Sequence, residues 1–245
     1  AILLRRLAVF SGGFDLQAAT AVCSDSEVQR FQILDHVALL VDKSLVAAED
    51  VAGCTRYRLL ETIRQYASEK LGESGEADTV RARHRDYYTD LAAGLDTVGR
   101  GDFRRTLHQV EAELDNLRTA FAWSRDNGEP SRALELASSL QPLWQGRGLL
   151  REGLSWFEAI LDDDIADLDS LPPAVRARAL ADNAVLNSYL SVADGMEQAH
   201  TAVEIARALD DAALLARALS ACGYLHGFDT EAAEPYFSEA IGLAR

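Results

Sequence analysis

Apolar residues open the chain at helical spacing in "ILLRRLAVF", and the run stops at Ser11-Gly12-Gly13, a strong breaker. Phe14 and Leu16 restart the apolar pattern, with Asp15 placed to cap a helix over 16–23. After the polar turn "SDSEVQ", Phe31, Leu34, Val37, Ala38 and Val41 recur at helical spacing and predict a third short helix. The pattern then changes. "SLVAAED" and "TRYRLLE" read as short strands joined through residues 51–54, where Gly53 can supply a positive φ. In the second strand Arg56 and Arg58 fall on one face, with Tyr57 between them. Helical period returns at Glu61, where Ile63, Tyr66, Ala67 and Leu71 form one face until "GESGEAD" ends it. Three helices and one β-hairpin are the plan of a winged helix, here residues 1–72.

From about residue 79 the pattern is helical throughout. "TVRARHRDYYTDLAAGL" and "DFRRTLHQVEAELDNLRTAFAWSRDNG" predict two long amphipathic helices, so residues 73–128 are read as a connecting helical region. Pro130 suits the first turn of a new helix. Beyond it the chain repeats itself. "RALELASSL", "RALADNAVL" and "RALSACGYL" begin at 132, 178 and 217, each opening Arg-Ala-Leu and closing on Leu. The second helices agree too, "AVEIAR" from 202 matching "AIGLAR" from 240, with "FEAIL" from 157 as an echo. About three helix pairs of this length predict a tetratricopeptide-like solenoid over 129–245, against the plainer alternative of an alanine-rich bundle. The fold class is therefore mostly α: a winged-helix domain with one hairpin, followed by an α-helical repeat solenoid.

Composition narrows what such a chain can do. It is 48% hydrophobic and 26% charged, ordinary for a folded globular protein, and has no apolar run long enough to span a membrane. The first ten residues are too short and charged for a secretory signal, and the pattern begins and ends mid-element, so a piece of a longer chain is expected. Three scattered cysteines, none at CxxC spacing, fit a reducing cytoplasm. The five histidines lack metal-ligand spacing. Net charge is −15, but residues 1–70 carry eight Lys/Arg against nine Asp/Glu, so the acidity lies almost wholly beyond them. An acidic body repels phosphate backbones and favours a cationic or peptide partner.

The ordered set "FSGGF", "VDKSLV" and "RLLETIRQYA", within residues 3–71, closely resembles a segment of large actinobacterial signal-transduction ATPases of the STAND class, many classed as LuxR-family transcriptional regulators. The resemblance implies a winged helix set between a P-loop ATPase core and a helical-repeat sensor, often with a LuxR-type helix-turn-helix further on. It implies ATP and Mg²⁺ for the ATPase and none for this segment, and makes that ATPase the first expected partner. A protein, peptide or small-molecule effector on the repeats is the second.

No GxxxxGK[ST], GxSxG, HExxH or GxGxxG occurs, so a non-catalytic segment is expected. "FSGGF" lacks the lysine of a phosphate loop, and "DDD" at 162–164 reads as solvated surface with at most weak attraction for a cation. In a DNA-binding winged helix the third helix reads the major groove and the wing lies along phosphates. Here "ILDHVALLVDKS" is apolar and carries Asp35 and Asp42 against Lys43 alone. The wing arginines can meet phosphates or the carboxylates of a neighbouring domain. Lys43, Arg56 and Arg58 are therefore assigned to interdomain contacts, with direct DNA binding the alternative. On the repeats, Gln141, Trp144, Asn183, Asn187, Tyr224 and His226 are the candidates for a binding groove, Trp144 having simple core burial as its alternative.

Overall fold

The computed structural model describes residues 1–51, 53–97, 102–161, 170–190, 195–227 and 229–243, so the acidic run at 162–164 lies outside the described residues. The chain divides into two compact units, Ala1–Trp123 and Ser124–Arg245.

The first unit opens with α1 (Ile2–Arg6) and a 3₁₀ turn (Leu7–Val9), followed by α2 (Leu16–Cys23) and α3 (Ile33–Asp42). Asp15 caps α2 as its position predicts, its carboxylate accepting the Ala18 N–H at 2.7 Å. Strands β1 (Val46–Val51) and β2 (Cys54–Leu59) form one antiparallel hairpin with Glu49 opposite Arg56. They pair as far as Val51 and Cys54, closer to the turn than the four-residue connection expected from sequence. Gly53 takes φ +80° at the tip. α4 (Glu61–Glu73), α5 (Ala77–Thr97), α6 (Phe103–Ala112) and α7 (Leu114–Asp126) follow.

Three expectations are corrected here. The single helix expected over 102–128 is broken at Glu113, which ends α6 with φ −103° and ψ 11°. On α3 the buried residues are Ile33 and Val37, while Phe31 and Leu34 are 76% and 52% exposed. Phe31 precedes the α-helix in a 3₁₀ turn (Arg30–Gln32), whose three-residue period moves it off the buried face. On α4 Ala67 and Leu71 are buried but Tyr66 is exposed, with the Lys70 ammonium 5.8 Å from its ring.

The core of this unit is partly aromatic. Phe10 and Phe14, the two ends of "FSGGF", lie with ring centroids 4.8 Å apart, and Phe10 also meets His84 and Tyr88 of α5. The intervening glycines make the turn possible. Gly13 holds φ +93°, and a Cβ there would stand 3.0 Å from the Tyr57 carbonyl. That close approach lets Phe14 and Tyr57 exchange backbone hydrogen bonds of 2.9 and 2.8 Å, adding the loop to the outer side of β2.

The second unit contains α8 (Pro130–Ser139), α9 (Gln141–Gly146), α10 (Leu150–Leu161), α11 (Pro173–Leu190), α12 (Gly195–Ala208), α13 (Ala212–Leu225) and α14 (Thr230–Leu243). Pro130 starts α8, as expected. α8, α11 and α13 pack in series, and α10, α12 and α14 each pack against a member of that row. The three Arg-Ala-Leu motifs occupy the serial row, so the repeat seen in sequence is a repeat of helix pairs. Small residues set the approach between helices: a Cβ on Gly153 would lie 2.6 Å from the Trp144 ring, and one on Gly223 2.6 Å from Phe237. No helix among the described residues is long and apolar enough to cross a membrane.

Candidate functional site

Within the first unit the "FSGGF" loop, the hairpin and α5–α7 meet at a buried polar network. At its centre is Asn116, fully buried on α7. Its Oδ1 accepts the Ser11 N–H at 2.9 Å, and its Nδ2 donates to the Gly13 carbonyl at 2.8 Å and to Glu113 Oε2 at 2.8 Å. His84 Nε2 lies 3.3 Å from the same Oδ1, and Tyr88 Oη donates to Glu113 Oε2 at 3.1 Å. The other Glu113 oxygen takes the Arg56 guanidinium. Glu113 can do this because it stands at the break between α6 and α7, where its side chain turns inward and is only 8% exposed.

The electrostatics follow from burial. The Arg56 guanidinium is held above its ordinary value by its hydrogen bond to Glu113. Burial raises the Tyr88 hydroxyl well above the usual range, with the Glu113 charge adding to it. Burial pushes the His84 imidazole down to about 4, so it is neutral at pH 7. Neutral groups surround one carboxylate paired with one guanidinium, an arrangement suited to holding elements together. No group of three His, Cys, Asp or Glu side chains able to hold a metal occurs among the described residues.

Arg56 and Arg58, which share a strand face, have different fates. Arg56 is 19% exposed and faces Glu113; Arg58 is 62% exposed and reaches only Glu49, at 3.3 Å. Lys43 is exposed just beyond α3. The outward surface of α3 is mainly apolar and acidic, with Leu34, Asp35, His36, Ala38, Leu39 and Asp42 all exposed.

In the second unit the six groove candidates separate by burial. Gln141, Trp144, Asn183 and Asn187 are interior residues, 7%, 0%, 2% and 5% exposed. Trp144 is core, donating from Nε1 to the Ala137 carbonyl and packing on Trp156 at 5.1 Å. Gln141 donates to the Asp182 carbonyl, and Asn183 to Gln198 Oε1 at 2.8 Å. α11 is covered by α8, α10, α12 and α13, which is why an Asn183/Asn187 face that is shared is nevertheless interior. Tyr224 is half exposed and stacks edge-on against Phe237. His226 stacks on Tyr236 at 5.5 Å, and His200 approaches the same ring. Asp182, 2% exposed, accepts a two-pronged contact from Arg217 at 2.6 and 3.0 Å. Arg178 stands 3.8 Å from the same carboxylate. Both arginines open an Arg-Ala-Leu motif, so this contact ties one repeat to the next.

Sequence reasoning missed Glu113, Asn116, His84, Tyr88 and Asp182. A signal for Glu113 was present: it stands three residues after Val110 and four before Leu117, so a carboxylate borders the apolar stripe, whereas Asn116 lies off it.

Residues 1–72 match the family described as a winged helix-turn-helix domain. The helices and hairpin of residues 1–72 are consistent with such a domain. Over 249 aligned residues the chain is 57% identical to proteins of Mycobacterium bovis and Mycobacterium tuberculosis that carry the provisional name HTH-type transcriptional regulator, covering 100% of this chain. The chain spans 28% of the length of those relatives. An 86-residue stretch, 35% of the chain, is 55% identical to an uncharacterized protein of Mycobacterium tuberculosis, of which it covers 22%. No solved structure matches.

Proposed function

We propose that the chain is a non-catalytic segment of an ATP-dependent transcriptional regulator. In this reading the winged helix docks on an ATPase core, and the helical repeats carry a protein or effector surface whose occupancy is relayed to it. ATP and Mg²⁺ belong to the core. The resemblance of "FSGGF", "VDKSLV" and "RLLETIRQYA" and the names of the longer mycobacterial relatives support the regulator. The observation that carries the docking role is the chemistry of the DNA-reading surfaces. The outward surface of α3 is apolar and acidic, and both wing arginines already meet carboxylates. Phosphate affinity rests on cations that are available to it.

The second reading, a DNA-binding module with repeats used for dimerisation or adaptor contacts, is favoured by the winged helix-turn-helix match itself. One experiment separates them. The gene is read on both sides for a P-loop, and docking of this chain to that core is measured calorimetrically with ADP and with ATP. Alongside, anisotropy of a labelled duplex is followed from 50 to 200 mM salt. Nucleotide-dependent docking, with duplex binding no tighter than about 10 µM at physiological salt, is expected. Salt-sensitive duplex binding that disappears in Arg56→Ala/Arg58→Ala would install the DNA reading instead.

A further inference from the structure

We infer that the first unit holds a site for a small organic oxyanion, a carboxylate or phosphate monoester on a flat apolar group, in the cavity between α4, α5, α7 and the 3₁₀ turn after α1. The cavity measures about 180 Å³ and is lined by Ala8, Val9, Arg64, Ser68, Arg81 and Trp123, with Ser11, Thr119 and His84 completing it. Its lining includes Arg64 and Arg81 and, among the described residues, no Asp or Glu, in a chain whose net charge is −15. Two arginines on the wall of one cavity suit an anion, because their planar donor forks match carboxylate and phosphate oxygens.

The existing partners of both arginines are weak competitors. Glu61 bonds Arg64 from a side chain 76% exposed, and Asp78 approaches Arg81 only to 3.8 Å from one 87% exposed. Solvated i,i+3 pairs of this kind contribute little, so an anion can recruit either arginine at small cost. Ser68 lies one helical turn after Arg64 on α4 and adds a hydroxyl to the same side. The Ser11 and Thr119 hydroxyls, by contrast, bond each other at 2.7 Å and form wall rather than ligand contacts. Ala8, Val9 and the Trp123 indole supply the apolar wall that calls for a flat ring behind the anionic group. The volume lies below the ~300 Å³ at which drug-sized pockets begin, which limits the ligand to about one ring. An adjoining cavity of the same volume shares Ser11 and Arg64 and adds Arg58 together with the Glu61 carboxylate. A ligand here would tie α4 of the winged helix to α5 and α7, independently of the function proposed above.

The test is a titration of the whole chain with benzoate, phenyl phosphate and inorganic phosphate at constant ionic strength, with chloride as control, read on the tryptophan indole N–H signals. Trp123→Phe assigns the reporting signal. A saturable shift at Trp123 with either ring-bearing anion is expected, and the tighter of the two identifies the anionic group. Arg81→Gln and Arg64→Gln should each weaken binding about tenfold or more, while Arg104→Gln on α6 should not. Circular dichroism confirms that each variant is folded. Anions no better than chloride, or binding that both arginine variants retain, would overturn the site. Inorganic phosphate binding as tightly as phenyl phosphate would overturn the apolar part.

Discussion

Asn116 shows how much one side chain can hold when it is buried. It supplies the acceptor for the Ser11 N–H and a donor for the Gly13 carbonyl, across 105 and 103 residues of chain. Asn116→Ala should therefore cost about 1–3 kcal/mol in urea unfolding of the first unit, because the buried Gly13 carbonyl loses its donor and the part-buried Ser11 N–H its acceptor. A cost under about 0.5 kcal/mol would mean that the loop is held by Phe10 and Phe14 alone. His84 makes a different prediction at the same scale. Its native value of about 4 lies below the ordinary 6.5, so the unfolded chain binds more protons between those pH values. Stability should fall as pH drops through that window, by an amount on the order of 3 kcal/mol, and His84→Gln should flatten the profile there. Asp25 adds a separate acid loss. Arg6 holds its carboxyl down to about 2, so its contribution is present above the ordinary 3.8 and disappears as pH falls through about 2.

The hairpin is the element whose role the structure changes most. Alternation along β2 places Arg56 and Arg58 on one face, and sequence treats them as equivalent. They are not equivalent in the fold, since only Arg56 is covered by the α6–α7 break and its Glu113. Arg56→Ala should cost about 2–3 kcal/mol and resist added salt, because it leaves a nearly buried carboxylate without its cation. Arg58→Ala should stay within about 0.5 kcal/mol, as its pair with Glu49 is solvated on both sides. Equal effects in thermal melts would show that Glu113 does not brace the wing. The break itself was hidden from the sequence, because the apolar period runs through residue 113 without a glycine or proline to mark it.

At the scale of the molecule, the repeats carry a contrast of the same kind. Arg132 and Arg217 open equivalent motifs, yet Arg132 meets Glu135 on an exposed surface while Arg217 meets buried Asp182. Burial pushes the Asp182 carboxyl up, with Arg217 and Arg178 opposing that shift. Arg217→Ala should destabilise the second unit by about 3–5 kcal/mol and Arg132→Ala by under about 0.5. Calorimetry of the unit's transition distinguishes them, and similar losses would mean that the motif arginine acts locally in every repeat.

The sequence by itself determined the elements that depend on near neighbours. These are the Ser11-Gly12-Gly13 stop, the Asp15 cap, the hairpin around Gly53, the proline start at 130 and the paired helices marked by Arg-Ala-Leu. Each follows from backbone geometry and side-chain spacing within a few residues, which a single chain displays directly. Only the tertiary structure decided which equally polar residues lie inside. Asn183 and Asn187 were expected on a groove and are interior, whereas Phe31 and Leu34 were placed on an apolar stripe and face outward. Periodicity says which residues share a face, but what covers that face comes from helices far along the chain, and that covering separates Arg56 from Arg58 and Arg217 from Arg132.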